Sequence, residues 1–452
     1  MRVLLISSNT TLSPYPVYPL GMSMVAAALK ECGHEVKLYD CLHSEEGEDG
    51  CRRVIQDFKP GVIGVSIRNV DNVNAVDEEK YISAIGKIVS QIKHSTSVPV
   101  VLGGSGFSVM PEAVMRHVPA DYGIVGEGEQ LMCNLVDKLE KGSPPHERLL
   151  VANLEMTGRE IPSSFYDPDL TKRYLKSGRM VAVQTKRGCD RRCVYCSYPV
   201  IEGRRIRSRD PDQVVDDLEA LIADHSVKYI FFVDSVFNDR QGEYRNVVER
   251  MYQRKVHVKW TAFFTPATEL DEEILWKMKA TGLDAVEIGA DASSDITLKA
   301  MAKGFSWGVV ERFNQLMISH SIHTAHYFMF GGPGETPETV RQGIRNIRSL
   351  PSTANFMFMG IRILPGTVLY KRALAEGILS ADHDMVEPVY YFSPEIDPDW
   401  LADTLKKGFA DQPNCVFPPN ELDKDLQGLH QYGLQGMGYH YLAKQWKPEN
   451  LT

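Results

Sequence analysis

The chain has 452 residues, 43% hydrophobic and 24% charged, the composition of an ordinary globular protein with room for two or three domains. A net charge of -9 without a long basic run argues against a binder of phosphate backbones, and no apolar run approaches the roughly 20 residues of a membrane span. Eight cysteines without a secretory signal at the start point to a reducing cytoplasm.

Arg2–Ser7 is short and almost wholly apolar, as in a strand covered on both faces. Helical spacing follows over Gly21–Glu31 and stops at Gly33. The alternation then repeats: strand His34–Tyr39, helix around Arg52–Asp57, strand Gly61–Ile67, helix Glu79–Lys93, strand Pro99–Leu102, helix Pro111–His117, strand Tyr122–Val125. This pattern predicts a doubly wound parallel sheet over residues 1–140, Rossmann-like in layout, with ligands beyond the carboxyl ends of its strands.

The loops at those ends are therefore the candidate binding residues. They are Ser8-Asn9-Thr10 running to Gly21 through Tyr18 and Leu20, then Ser66-Ile67-Arg68-Asn69, Gly103-Gly104-Ser105-Gly106 and Gly126-Glu127-Gly128-Glu129. Glycines at 103–106 let backbone pass close to a ligand. Neither a GxGxxG after the first strand nor a GxxxxGK[ST] is present. His34 and His43, in other loops, read as surface residues.

Residues 141–179 are turn-rich and poorly periodic, and read as a linker. Alternation resumes over 180–370 with strands Met180–Thr185, Tyr229–Val233, His257–Phe263, Ala285–Ile288, His323–Phe330 and Asn355–Ile363. Helices fall near 211–223, 243–253, 271–280, 307–318 and 337–349. Six β/α units predict an open, partial (β/α)6 barrel with its site at the carboxyl ends of the strands. Residues 371–452 lose this rhythm and read as an α-rich extension, with an aromatic stretch Glu387–Ser393, a helix candidate Gly436–Trp446 and an isolated Cys415; the extension could cover a substrate at the barrel mouth.

The first barrel strand leads into Gly188-Cys189-Asp190-Arg191-Arg192-Cys193-Val194-Tyr195-Cys196, a CxxxCxxC spacing. Three thiolates on one short loop hold a 4Fe–4S cluster by three irons and leave the fourth open. A structural zinc site wants four ligands, and no further Cys or His lies at usual spacing. An odd trio cannot pair internally as disulfides. Arg204, Arg205, Arg207 and Arg209 follow as a basic cluster, read as a solvated loop or as contacts to a cofactor or acidic substrate.

The motif resembles that of the radical S-adenosylmethionine (radical SAM) enzymes. The resemblance implies that Cys189, Cys193 and Cys196 bind the cluster, that the open iron chelates S-adenosylmethionine, and that Tyr195 lies against adenine. By the same resemblance Asp234 meets the ammonium, Asp291 the ribose, Gly331-Gly332-Pro333 with Glu335 the methionyl and adenine groups, and Pro365 the adenine-side turn. Asp291 stands where that family usually has Glu, and Asp234 reads equally well as a loop cap.

The loops of the first domain resemble a cobalamin-binding domain, with the cofactor tail sliding between Ser66 and Gly103-Gly104. Ser8, Asn9, Thr10, Tyr18, Leu20, Gly21, Arg68, Asn69, Ser105, Gly106, Gly126, Glu127 and Glu129 complete that implied site. The DxHxxG of many such domains is missing after the first strand, so a displaced base and no histidine on cobalt are expected.

Together the chain resembles the cobalamin-binding radical SAM enzymes of methyltransferase type. That implies methyl transfer from S-adenosylmethionine through methylcobalamin to an unactivated carbon of a small molecule, a natural-product or lipid intermediate. A flavodoxin or ferredoxin would be the electron donor. Ring closure, ring contraction or oxidative cyclisation without methyl transfer stays open, as does a non-catalytic cobalamin or iron–sulfur sensor.

Overall fold

The computed structural model describes residues 1–443 except 13–14, 45–46, 153–154, 179 and 433. The amino-terminal part is a six-stranded parallel sheet of β1 (Arg2–Ser7), β2 (Glu35–Asp40), β3 (Val62–Ser66), β4 (Val100–Gly103), β5 (Tyr122–Val125) and β6 (Leu149–Val151), in the order β2-β1-β3-β4-β5-β6. Only Arg2 of β1 is exposed, as its apolar run requires.

Three differences from the sequence reading have local causes. The third helix starts at Ile82 rather than Glu79, because Asn72 accepts from the backbone of Glu79 and Asn74 and holds residues 71–80 in a turn network. Gly128–Glu140 is a helix that buries Met132, Leu135 and Val136; its Gly-Glu-Gly-Glu opening masked it. The stretch read as a linker contains β6, paired with β5, and a helix, Pro168–Ser177, capped by Asp167.

The second sheet has seven parallel strands. They are β7 (Val181–Val183), β8 (Tyr229–Phe232), β9 (Lys259–Phe264), β10 (Leu283–Asp291), β11 (His323–Phe330), β12 (Thr353–Met359) and β13 (Cys415–Val416). Their order runs β7-β8-β9-β10-β11-β12-β13, so the barrel stays open between its first and last strands. The helices expected between the strands are present at Pro211–His225, Glu243–Gln253, Glu272–Thr281, Trp307–Ser319 and Pro337–Arg348.

Beyond the sixth strand the chain adds the short edge strand β13, which places Cys415 in a buried position beside Asn355. Helices Pro398–Phe409, Asp423–Gln431 and Tyr439–Ala443 make up most of the regular structure in the rest of the extension; residues 444–446 of the helix expected over Gly436–Trp446 lie outside the described residues.

The two parts meet through buried ion pairs. Asp71, from the loop after β3, accepts from Arg362 Nε at 2.7 Å, and Arg362 also donates to the carbonyls of Ile363 and Met385. His34 is buried rather than on the surface, with Nδ1 3.3 Å from the terminal amine of Met1. His43 is held between Asp40 and Ser177, each at 2.8 Å.

Candidate functional site

The cysteine loop leaves β7 through a two-residue ribbon, Lys186–Arg187 paired antiparallel with Arg207–Ser208. Gly188 must be glycine: its φ is +90°, and a Cβ would lie 2.0 Å from the Arg205 carbonyl oxygen. Val194 at the loop centre donates to the Met301 carbonyl and accepts from the Leu369 amide at 2.8 Å, which pins the loop over the barrel mouth.

Cys189 is buried and Cys193 and Cys196 are half-buried; none is in a disulfide. Burial pushes the Cys189 and Cys196 thiols up, Cys196 to about 12, while backbone amides of Arg191 and Tyr198 face the two sulfurs. Three free thiols on one loop, two of them with backbone amide donors, are the donor set an iron–sulfur cluster uses.

Arg187, two residues before Cys189, joins this loop to the first domain. Its guanidinium donates to Glu127 Oε1 at 3.0 Å and to Glu129 Oε1 at 2.5 Å, with all three side chains buried. Arg207 donates to the same Glu127 oxygen at 2.7 Å and to the Met156 carbonyl at 2.6 Å. Arg207 and Arg209 are therefore buried ties rather than a solvated face. Arg209 pairs with Asp217 at 2.7 Å, while Arg204 and Arg205 are the exposed members of the cluster.

Between the two parts lies a cavity of about 430 Å³. One wall is apolar, with Leu5, Val65, Leu102, Ile124 and Met132 under the carboxyl ends of β3 and β4. The opposite wall is barrel: Ala182, Gln184, Arg187, Phe231, Val233 and Phe263. Gly21, Gly64, Gly103, Gly104, Gly126 and Gly128 line it, leaving backbone open to a large flat ligand. No histidine is among the described residues lining it, and Arg68 is. A slot of this chemistry fits a corrin and its tail.

Residues 183–346 match the model of the radical SAM superfamily, and residues 8–136 match that of the B12 binding domain. The chain carries a radical SAM domain and a B12-binding domain. A tryptophan 2-C-methyltransferase of Streptomyces laurentii is 26% identical over 437 residues, covering 80% of this chain and 72% of the relative. An anaerobic magnesium-protoporphyrin IX monomethyl ester cyclase of Rubrivivax gelatinosus is 27% identical over 362 residues, 75% of this chain and 63% of the relative. The structure of the radical SAM methyltransferase TsrM from Kitasatospora setae, with cobalamin and a 4Fe–4S cluster bound, has a TM-score of 0.84 at 24% identity over 98% of this chain and 97% of that one.

On the radical SAM side, the structure gathers Tyr195 and Asp291 next to the cysteines and adds Lys303. The Tyr195 hydroxyl and Lys303 Nζ both donate to Asp291 Oδ2, and Lys303 lies 3.2 Å from the Tyr195 oxygen. Asp291 reaches them because the strand register shifts after Ile288 and its φ is +61°. Burial disfavours the Lys303 charge, but Asp291 more than reverses this and holds its pKa above the usual lysine range.

Of the two readings of Asp234, the structure favours the loop cap over the ammonium contact. Its carboxylate is 1% exposed and takes the Thr185 amide at 2.7 Å, the Thr185 hydroxyl at 2.5 Å, the Lys186 amide at 3.2 Å and Lys186 Nζ at 3.3 Å. Four donors use its lone pairs, so it ties down the base of the cysteine loop. Glu335 likewise turns inward, accepting from the Gly331 amide at 3.2 Å and the Thr339 hydroxyl at 3.1 Å. Gly331 is buried against Phe392 and Gly332 against Ile361, Pro333 is buried, and Pro365 is half-buried.

On the B12-binding side, Asn9, Tyr18, Leu20, Gly21, Ser66, Arg68, Gly103, Gly104, Ser105, Gly126, Glu127 and Glu129 line the cavity; Ser8, Thr10, Asn69 and Gly106 do not. Ser8 instead donates to the Ser66 carbonyl at 2.8 Å, and Gly106 packs on the backbone of Arg68 and Asn69. Sequence reasoning missed Arg187, Lys303 and Glu202. Glu202 accepts from the Gly188 amide and Ser235 at 3.1 Å and lines the cavity. Arg187 carried a signal, a charge directly before the motif; the other two carried none.

Proposed function

We propose that this protein is a cobalamin-dependent radical SAM enzyme that moves a methyl group from S-adenosylmethionine to an unactivated carbon of a small molecule, a natural-product or lipid intermediate. The observation that carries the reading is the wall between the cysteine loop and the glycine-lined cavity, where Gln184, Arg187 and Glu202 line the cavity and hydrogen-bond at the base of the loop. Bound there, the cluster with S-adenosylmethionine and the cobalamin supply radical generation and methyl carriage.

The chain's own residues bind, orient and exclude water. Cys189, Cys193 and Cys196 would hold the cluster, and Tyr195 with Asp291 and Lys303 would flank S-adenosylmethionine. Gly103, Gly104 and Ser105 with Ser66 would bracket the cobalamin tail, and Arg68 would face the corrin. Phe231 and Phe263 stack as a tilted pair, centroids 5.4 Å apart, and keep the barrel side of the cavity dry. A flavodoxin or ferredoxin would deliver electrons, and the cytoplasm is the proposed location; among the described residues no helix is long and apolar enough to cross a membrane.

Ring closure without methyl transfer is the second reading, favoured by the similarity to the cyclase. Deuterated methyl S-adenosylmethionine separates the two: product carrying the trideuteromethyl mass supports methylation, and product without it supports the cyclase reading.

A further inference from the structure

Strand alternation defines a chamber inside the open barrel. Phe263, Gly289, Asp291, Tyr327, Met329 and Phe358 are half-buried, whereas their neighbours Phe264, Ile288, Ala290, Phe328, Phe330 and Met359 are buried against the helices. The half-buried positions share the inward face, since Phe263 is in register with Glu287, and Met329 with Phe358. The chamber wall is thus largely aromatic and apolar. It adjoins the interdomain cavity through Phe231 and Phe263, which line that cavity, and through Tyr15, whose ring meets Phe231 edge-on at 6.3 Å.

Glu287 stands in the middle of this wall. It is 1% exposed, and its Oε2 accepts from the Tyr327 hydroxyl at 2.9 Å. The Tyr327 oxygen lies 2.8 Å from the Tyr439 hydroxyl of the carboxy-terminal extension, which seats that extension beside the carboxylate. Oε1 is buried with no hydrogen-bond partner. Two residues along the same face is Gly289, where an added Cβ would find only the Asp291 carboxylate nearby, its closest atom at 3.4 Å. A buried, unpaired carboxylate oxygen therefore lies on the same largely apolar face as the uncrowded Gly289 position.

A buried carboxylate with one oxygen left unpaired is costly, and nothing in the cysteine or cobalamin chemistry uses this one. Burial pushes its pKa up to about 7, against the two tyrosine hydrogen bonds that lower it. A hydrophobic residue would fill the position at less cost. The arrangement is that of a site completed by a ligand.

We propose that Glu287 sets substrate specificity: its Oε1 receives a positively charged nitrogen carried on an aromatic or apolar body that fills the chamber beside Phe263, Tyr327 and Phe358. Tyr327 positions the carboxylate, and Tyr439 makes the extension part of the substrate wall. The assignment rests on the reading of the barrel interior as the substrate site.

The test uses the anaerobically reconstituted holoenzyme and calorimetric titration at pH 8 with tryptamine, an aromatic cation, and 3-ethylindole, its uncharged counterpart. The expected result is roughly tenfold or greater preference for tryptamine in the wild type, lost in Glu287→Gln, which keeps its iron and cobalt content. Tyr327→Phe, which leaves the charge in place, keeps the preference. Equal wild-type affinity for both probes, or a preference that survives in Glu287→Gln, overturns the proposal. The wild-type comparison decides if Glu287→Gln does not fold. Loss of cobalamin binding would remove the methylase reading instead, and shows separately as absent cobalt.

Discussion

The Glu127 carboxylate of the B12-binding domain and the Arg187 guanidinium, two residues before Cys189, meet at 3.0 Å with both side chains more than nine-tenths buried. Glu129 and Arg207 join them, so two carboxylates and two guanidiniums pair across the domain boundary. Burial alone would lower the Arg187 pKa; Glu129 and then Glu127 reverse this and hold it above its usual range.

Breaking that network from the side of the first domain should disturb the cysteine loop. Glu127→Gln leaves Arg187 and Arg207 short of charge and should cost about 2–4 kcal/mol. Thermal unfolding should move down, and iron retention after reconstitution should fall although no cysteine has changed.

The cysteines and the cavity should separate cleanly. Cys189→Ala, Cys193→Ala and Cys196→Ala should each lose cluster iron while cobalt stays near the wild-type level, because the cavity is lined by other residues. Iron and cobalt analysis on the same sample checks this.

Gly104 gives the reverse case. Its φ is +99°, and a Cβ would lie 2.5 Å from the Ile67 carbonyl oxygen, between the two loops that would bracket the cobalamin tail. Gly104→Ala should cost on the order of 1–3 kcal/mol and lose cobalt more than iron.

Glu335 predicts a pH effect. Its carboxyl is raised from 4.5 to about 7, by burial first, with Thr339 and the Gly331 and Gly332 amides opposing. The folded form then binds a proton that the unfolded form has released, so stability falls as pH rises from about 4.5 to 7. Glu335→Gln should remove up to about 3 kcal/mol of that fall. Its melting temperature relative to wild type should climb between pH 5 and pH 8; a constant difference would contradict the assignment.

Much of the architecture was legible because it is local. The apolar runs and helix starts placed eleven of the thirteen strands of the two sheets within a few residues, and the cysteine spacing marked the loop after β7. What was not legible depends on distant partners. Arg207 and Arg209 read as a solvated loop or as ligand contacts until Glu127 and Asp217 arrive beside them. Asp234 read equally as an ammonium contact or a loop cap, and only Thr185 and Lys186, which take its oxygens, decide for the loop. Lys303 lay in an unremarkable turn, and only the fold brings it to Asp291 and Tyr195. β6 and β13 are short edge strands with too few residues to show alternation.

The most direct test of the central claim is iron and cobalt per chain after strictly anaerobic purification with cobalamin supplied. About four irons and one cobalt per chain are predicted, from three cysteines on one loop and a glycine-lined cavity facing it. Four irons with no cobalt, even after reconstitution, would contradict a cobalamin-dependent methyl transfer and leave the first domain to another ligand.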